Sequence, residues 1–530
     1  MGPVPVLPQR RFNDLYTAVY ELIDDAKATY DVLKLHKGSH GSANPHDIVT
    51  DFGQWFFSEH RGLIGYVCSR VRPGFGSIEY SLDDLAAFDA GFSPRVSVSE
   101  VFQLLASSER TEGQTRRDYL NWLVSRKHSL GAYRGGSSGY DDEARAFICT
   151  YFRQLGITCS SEDIVIFNGG AKAVFLATCA ALMCTRDFDT VYPNGGVVLA
   201  PSGYYQSLRL IPAVFGGTIH VESALTGDTV AEWLAETDHM YGRVLYVPLV
   251  NNMDGRVLDR DRAHGIGAAV LRHNHDNEEN PVHVIGDDVY AGSYLDNADC
   301  EPCPIGAVPG LDPWCVSIVT PSKTVAYPTG RVAFAAASNT RMRAALDHYR
   351  TVFSHGRVPQ SGELTSAAAL CLTPQRWVDA WNECFRASLR SLTREIARLN
   401  SELGVAAFAL DQPQGGWYAP LRIRRDLFGA RVATGIDAQS VLLYYGGDDR
   451  ESGIAMLPGE LFGHPSDRDW HALRVNVAVK ADTIDRFVVR LRAVAHALRS
   501  DTRDDVVAYA LARARRVVPE LDATVRNVRY

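Results

Sequence analysis

Lysine is scarce in this chain. Seven occur among 530 residues, at Lys27, Lys34, Lys37, Lys127, Lys172, Lys323 and Lys480, and arginine supplies the rest of the 54 basic side chains. Any chemistry that needs a side-chain amine therefore has few candidates. Positive charge as a whole is in deficit, with 62 acidic residues and a net charge of −8. That argues against a nucleic-acid partner, which needs a basic face. Long apolar runs are missing too. The longest, such as Val174–Met183, span about ten residues, half of the ~20 a helix needs to cross a bilayer. The ten cysteines keep no regular spacing, which suits reduced thiols rather than a disulfide framework. Cys300-Glu-Pro-Cys303 is a lone CxxC with no second pair beside it, and it reads as a surface loop. The opening MGPVPVLPQRRFNDLY has neither an apolar core nor a small-residue cleavage site, so no secretory signal is read and a cytoplasmic location is expected.

What is present is an ordinary globular balance, 46% hydrophobic and 22% charged, enough to bury a sizeable core. At roughly 100–200 residues per domain, the length allows two to four domains. Leu15, Val19, Leu22, Ile23 and Ala26 recur at helical steps, and the turn-rich HKGSHGSANP that follows Leu35 ends that pattern. Asp47–Leu130 is mixed sequence, with helices expected over Ser99–Ala106 and Arg116–Arg126. From Glu162 short β-branched runs alternate with helical segments. Strands are expected at Ile164–Phe167, Val197–Leu199, Thr218–Val221, Val244–Val247, Val282–Ile285 and Val316–Val319. Helices are expected at Ala171–Cys184, after Leu199, at Val230–Thr237 and near Arg260–Arg272. Near-continuously apolar strands separated by helices imply a mostly parallel sheet covered on both faces. After about Arg341 the balance shifts to long helices with a few strands, and the last thirty residues read as a charged helix whose arginines form a solvated or packing face.

In such sheets ligands bind where strands deliver their carboxyl ends into a crevice, and three strand ends carry suggestive residues. Phe167-Asn-Gly-Gly-Ala-Lys-Ala173 opens a helix after a strand, where backbone N–H groups can meet an anion; a purely structural turn is the other reading. It lacks both the Walker lysine pattern and the GxGxxG spacing, so neither nucleotide site is indicated. Thr320-Pro-Ser-Lys323 follows another strand, with Arg331 eight residues on. A lysine is an odd choice there unless it is shifted or used covalently, because burying an ammonium is costly. Gly286-Asp-Asp-Val-Tyr290 sets a carboxylate three residues before a tyrosine. Taken singly, each has a plain structural reading: a loop cap, a core ring, a packing cation. His264, His273, His275 and His283 are spaced as in a polar, solvent-facing loop, and no metal site is read from them.

Taken in order, these segments resemble the class I/II aminotransferases, the pyridoxal-phosphate enzymes of fold type I. GDDVY is similar to the family's D-x-x-Y signature, which implies that Asp287 partners the pyridine nitrogen and Tyr290 the ring hydroxyl. TPSK resembles the S-x-S-K box, making Lys323 the Schiff-base lysine and general acid/base. Thr320, Ser322 and Arg331 then match phosphate-binding positions, together with backbone groups of Gly170, Ala171 and Lys172. Val250-Asn-Asn-Met-Asp-Gly255 stands where the family has N-P-T-G, placing Asn252 beside the ring hydroxyl. Pro201-Ser-Gly-Tyr-Tyr205 resembles the segment whose aromatic ring stacks on the cofactor, with Tyr205 favoured and Tyr204 the alternative. Leu473-Arg-Val-Asn-Val-Ala478 resembles the strand that carries the substrate-carboxylate arginine, here Arg474, whose planar fork suits that task. Tyr133 matches the tyrosine that reaches a neighbouring subunit's phosphate.

The resemblance implies an α/β fold with a large domain over 131–340 and a smaller α+β domain over 341–499. Ahead of these stand an N-terminal helical arm over 1–46 and an inserted, mainly helical segment over 47–130 near the active-site mouth; a helical tail follows over 500–530. It implies pyridoxal 5'-phosphate as cofactor, an amino-acid substrate, no metal, and a homodimer with shared active sites. The activity expected is transamination: the substrate amine displaces Lys323, and the ring stabilises the carbanion at Cα. Met253, Val250 and Gly203 replace prolines of the family pattern, and the 47–130 insertion is unusual. PSGYYQSL is also similar to a segment of 1-aminocyclopropane-carboxylate synthases, so a lyase or synthase of specialised metabolism, eliminating or substituting at the β- or γ-carbon, is the second expectation. A non-catalytic regulator on the same fold is disfavoured because Lys323, Asp287 and Tyr290 are all present.

Overall fold

The computed structural model describes residues 15–35, 142–184, 196–209, 218–237, 242–295, 301–325, 331–354, 363, 366–367, 369–371, 375–446, 453–464, 466–479, 481–519 and 521. The 47–130 segment, with its two expected helices, and Tyr133 lie outside them. The first helix, α1 (Leu15–Thr29), buries the face formed by Leu15, Ala18, Val19, Leu22, Ile23 and Ala26, as three- and four-residue spacing requires. A two-residue strand, β1 (Leu33–Lys34), follows it.

Among the described residues seven strands then make the main sheet: β2 (Ile164–Phe167), β3 (Gly196–Pro201), β4 (Thr218–Glu222), β5 (Gly242–Pro248), β6 (His283–Asp287), β7 (Cys315–Val319) and β8 (Ala333–Ala336). Their order is β2-β8-β7-β6-β5-β3-β4. Strands β7, β6, β5, β3 and β4 run parallel, and β8 runs against both of its neighbours. Strands β5, β6 and β7 are buried along their whole length, whereas β4, at the edge, is half-exposed. Helices α2 (Asp142–Gln154), α3 (Gly170–Cys184), α4 (Gly227–Glu236), α5 (Arg260–Asp276) and α6 (Thr340–Ser354) accompany the sheet. Helix α3 is apolar nearly all round because it is enclosed, packed between the sheet and α6. Thr226 caps α4 by accepting from the Thr229 N–H, and Asp259 caps α5 by accepting from the Arg262 N–H.

The rest of the chain is helical with a second, antiparallel sheet. Helix α7 (Gln375–Leu403) leads to β9 (Phe408–Leu410), β10 (Tyr418–Arg424), α8 (Gly435–Tyr444), β11 (Ile454–Ala455), β12 (Leu457–Pro458) and β13 (Trp470–Asn476). Four of these strands pair in the order β12-β13-β10-β9, and β11 pairs with β1. Two helices close the described chain, α9 (Ala481–Arg499) and α10 (Arg503–Val517). The second is no free tail: Val507, Ala510, Leu511 and Ala514 are buried against α8 and α1.

Of the helix expected after Leu199, the description covers only a short 3-10 turn, Gln206–Arg209; residues 210–217 lie outside the described residues. Two expectations need correction. Cys303 is buried, not on a surface loop. His264, His273 and His275 sit on α5, and His283 is buried in β6. Ala263, Ile266, Gly267, Ala269, Val270 and Asn274 keep a buried helical face running through that stretch, which is why it does not become a polar loop.

Candidate active site

The parallel strands deliver their carboxyl ends to one edge of the sheet, and most of the candidate residues gather there. Strand β6 ends at Asp287; β7 ends one residue before Thr320, which caps a short helical turn, Pro321–Thr324, carrying Lys323. Strand β5 runs out into the Asn251-Asn252 loop and β3 into Ser202–Tyr205. Arg474 comes from the other sheet, on β13 opposite Pro420 of β10.

Lys323 is half-buried, and its Nζ lies 4.2 Å from the centre of the Trp417 ring and 5.8 Å from those of Tyr290 and Tyr418. Burial lowers its pKa from the ordinary lysine value, and the Arg474 charge lowers it further, while Tyr418 opposes the shift. A hydroxyl–amide chain then runs across the crevice. The Tyr290 hydroxyl donates to Asn252 Oδ1 at 3.5 Å, and Arg474 donates to the same oxygen at 3.1 Å and to the Asn252 carbonyl at 3.3 Å. The Arg474 guanidinium is held between two rings, 3.7 Å from the centre of Tyr418 and 4.4 Å from that of Phe462. Such cation–ring contacts brace the guanidinium.

The two aspartates of GDDVY separate by strand alternation. Asp287 accepts from the Tyr246 hydroxyl at 2.5 Å and from the Val289 N–H at 3.4 Å. Burial raises its carboxyl to a pKa of about 6, with both hydrogen bonds pulling the other way. Asp288 is also buried, with neither carboxylate oxygen hydrogen-bonded. Burial, and then the neighbouring Asp287, push its pKa well up, which favours the uncharged form.

An anion cradle stands beside Lys323. Residues 170–172 form the first turn of α3, whose N–H groups have no partner within the helix. Gly169, at φ +87°, has no side chain to spare: a Cβ there would fall 2.7 Å from the Arg331 guanidinium. Arg331 itself holds φ 50°, a conformation costly for a non-glycine residue. The Thr320 hydroxyl donates to the Val332 carbonyl and accepts from the Ser322 N–H at 3.2 Å, with the Ser322 hydroxyl 2.9 Å away. Helix N–H groups, two hydroxyls and a guanidinium suit a phosphate; a lysine, a buried carboxylate and a tyrosine suit the rest of a pyridoxal ring. The donor set fits the cofactor that the sequence implied.

Tyr204 is buried against Gly463, whereas Tyr205 lies near enough to Asp287, Tyr246 and Arg474 to feel their charge. The missing prolines have a local substitute. Asn251 Oδ1 accepts from the Met253 N–H at 3.0 Å, Asn251 Nδ2 donates to the Ser202 carbonyl at 2.7 Å, and Met253 fills the core. Gly203, at φ +95°, lets Asn251 approach so closely that a Cβ would meet its side-chain oxygen.

Several neighbours escaped the sequence reading: Tyr246, Trp417, Tyr418 and Phe462, together with Tyr16 and Tyr20 of α1. The last two stack with ring centres 4.4 Å apart, and Tyr20 lies within electrostatic reach of Arg474 and Tyr418. The pair of glycines before Trp417 and Tyr418 was a usable signal for the β10 residues; for the others the sequence holds none.

Among curated protein sequences, none matches this chain. Solved structures do. An aspartate aminotransferase from Thermotoga maritima shares 16% identity over 92% of this chain and 99% of its own, at TM-score 0.56. An aromatic aminotransferase from Pyrococcus horikoshii shares 16% over 89% and 98%, at 0.55. Substrate-bound BacF from Bacillus subtilis shares 16% over 93% and 98%, at 0.57. At such identities the likeness shows the fold, the type I architecture. The sequence model of "Aminotransferase class I and II" matches residues 125–491, more than half of the chain. The chain therefore belongs to the class I and II aminotransferase family, and it is a pyridoxal-phosphate-dependent, aminotransferase-like enzyme.

Proposed function

We propose that the enzyme is an aminotransferase that takes the amino group from an α-amino acid, with Lys323 as its covalent and proton-transferring lysine. The observation that carries this reading is the meeting of Lys323, Asp287, Tyr290, Asn252 and Arg474 at one sheet edge, beside the cradle formed by Gly169, Thr320 and Arg331. When bound, pyridoxal phosphate supplies the aldehyde that accepts the amine and the ring that withdraws electrons from Cα. Arg474, braced by Tyr418, Phe462 and Asn252, grips the substrate carboxylate and so fixes which Cα bond faces the ring. Lys323, its pKa lowered by burial, is poised to take the Cα proton and return it elsewhere. Asp287 would hold the pyridine nitrogen's proton, Tyr290 and Asn252 would hold the ring hydroxyl, and Tyr205 would stack on the ring. A cytoplasmic homodimer is the setting that belongs to this reading.

Mixing the purified, cofactor-loaded protein with a panel of amino acids tests it. The expected result is loss of the lysine-bound cofactor's visible band with release of a 2-oxo acid. Lys323→Ala is expected to lower turnover on the order of a hundred-fold or more. Release of an altered side chain, with no amino group left on the cofactor, would instead indicate a lyase or synthase.

A further inference from the structure

We propose that Tyr246, a strand residue outside every motif of the site, is a positioning residue that fixes the Asp287 carboxylate and keeps it ionised toward the cofactor. The proposal rests on the assignment of Asp287 to the pyridine nitrogen made above.

The sheet register makes the contact. Strands β5 and β6 are parallel neighbours, with Tyr246 paired to Ile285 and Pro248 to Asp287. Paired residues share a face, so Tyr246 lies on the Asp287 side of the sheet, one pleat back from the crevice. Its ring is fully buried, and its hydroxyl donates to Asp287 Oδ2 at 2.5 Å. The same hydroxyl takes a hydrogen bond from the Tyr205 backbone. One buried phenol thus ties the carboxylate to the backbone at Tyr205. A tyrosine hydroxyl enclosed in a parallel strand must find an acceptor, and here the acceptor is the functional carboxylate.

Among the described residues, one other donor favours the ionised form of Asp287, the Val289 N–H at 3.4 Å. The titratable groups facing it are Tyr205, Tyr246, Tyr290 and, next along the chain, Asp288. Burial raises the pKa of all four, and groups of these types carry no positive charge that could compensate it. Without the phenol the carboxylate can turn about its last bond and becomes more basic, which draws the proton shared with the pyridine nitrogen onto the acid.

The test is Tyr246→Phe, which removes one oxygen and leaves the ring in the core. Two readouts are needed: the dissociation constant for pyridoxal phosphate as a function of pH, and kcat and KM for the amino donor. The expected result is binding on the order of ten-fold weaker at neutral pH, the scale of a hydrogen bond to a charged group. The acid limb of the binding curve moves to higher pH, and kcat falls more than KM rises. In an Asp287→Asn background the same substitution should cost about two-fold or less, since the coupled partner is gone. Unchanged affinity and pH dependence in Tyr246→Phe overturns the proposal. So does a loss of equal size in the Asp287→Asn background, which would mark Tyr246 as a packing residue. Should Asp287→Asn alone bind the cofactor and turn over like the parent, the fault lies in the assignment of Asp287, and the proposal falls with it.

Discussion

At the scale of single residues, Asp287 shows how function opposes stability. An aspartate in an unfolded chain titrates near pH 4, whereas burial raises Asp287 to about 6 in the fold. The folded chain therefore holds this proton more tightly than the unfolded one. The contribution to stability is fully present below pH ~4 and is lost as pH rises through ~6. A displacement of about two pH units corresponds to roughly 3 kcal/mol at neutral pH, a cost that, on the proposed assignment, a protonated pyridine nitrogen would offset. In the cofactor-free protein, Asp287→Asn is thus expected to raise the melting temperature at neutral pH and to leave it unchanged below pH ~4, while turnover in the loaded enzyme collapses. The check is a pair of melting curves at the two pH values. An unchanged or lower neutral-pH melting temperature would contradict the picture of a carboxylate kept ionised against its surroundings. Tyr246, Tyr418 and Phe462 complete this scale, since each braces a charged group that the motifs alone would leave loose.

At the scale of elements, the site depends on a clamp between the two ends of the described chain. Helix α1 brings Tyr20 within electrostatic reach of Arg474 and Tyr16 within that of Tyr205, and it is fastened by contacts further along. The Tyr444 hydroxyl donates to the Leu22 carbonyl and to Asp25 at 3.0 Å, and Arg513 of α10 grips the same Asp25 with two bonds of 2.7 and 3.0 Å. Arg490 adds bonds to the carbonyls of Asp31 and Gly453 and to the Asp31 carboxylate. The Asp25–Arg513 pair is bidentate and three-quarters covered, so Arg513→Ala is expected to cost about 1 kcal/mol or somewhat more. Because α1 carries the tyrosines, KM for the amino acid should rise together with the fall in melting temperature. A lower melting temperature with unchanged KM would show that α1 only braces the fold. The helix itself was legible, since Leu15, Val19, Leu22, Ile23 and Ala26 mark its buried face. Its partners were not, because nothing in one sequence tells which distant helices accept that face. Strand direction was hidden in the same way: Ala333–Ala336 is a short apolar run that reads alike in a parallel or an antiparallel strand.

At the scale of the whole molecule, the site was legible where chemistry is local and hidden where it is assembled. Asp287 to Tyr290, Thr320 to Lys323 and Gly170 to Lys172 each lie within a few residues of a strand end, so position marked them as candidates and the family resemblance implied their roles. Tyr246 reaches Asp287 only through the strand order, and Trp417, Tyr418, Phe462, Tyr16 and Tyr20 arrive from elements far along the chain. The scarcity of lysine makes the central assignment easy to examine. Lys27 pairs with Asp24, Lys34 lies on β1, and Lys172 opens α3; Lys37, Lys127 and Lys480 lie outside the described residues. Lys323 alone among the described lysines stands within a set of rings beside Arg474. The most direct measurement is to load the protein with pyridoxal phosphate, reduce the lysine–cofactor linkage with borohydride, and map the modified peptide by mass spectrometry. The account predicts a single phosphopyridoxyl group on Lys323, absent from Lys323→Ala; a label on Lys172 or any other lysine, or no label at all, would contradict it.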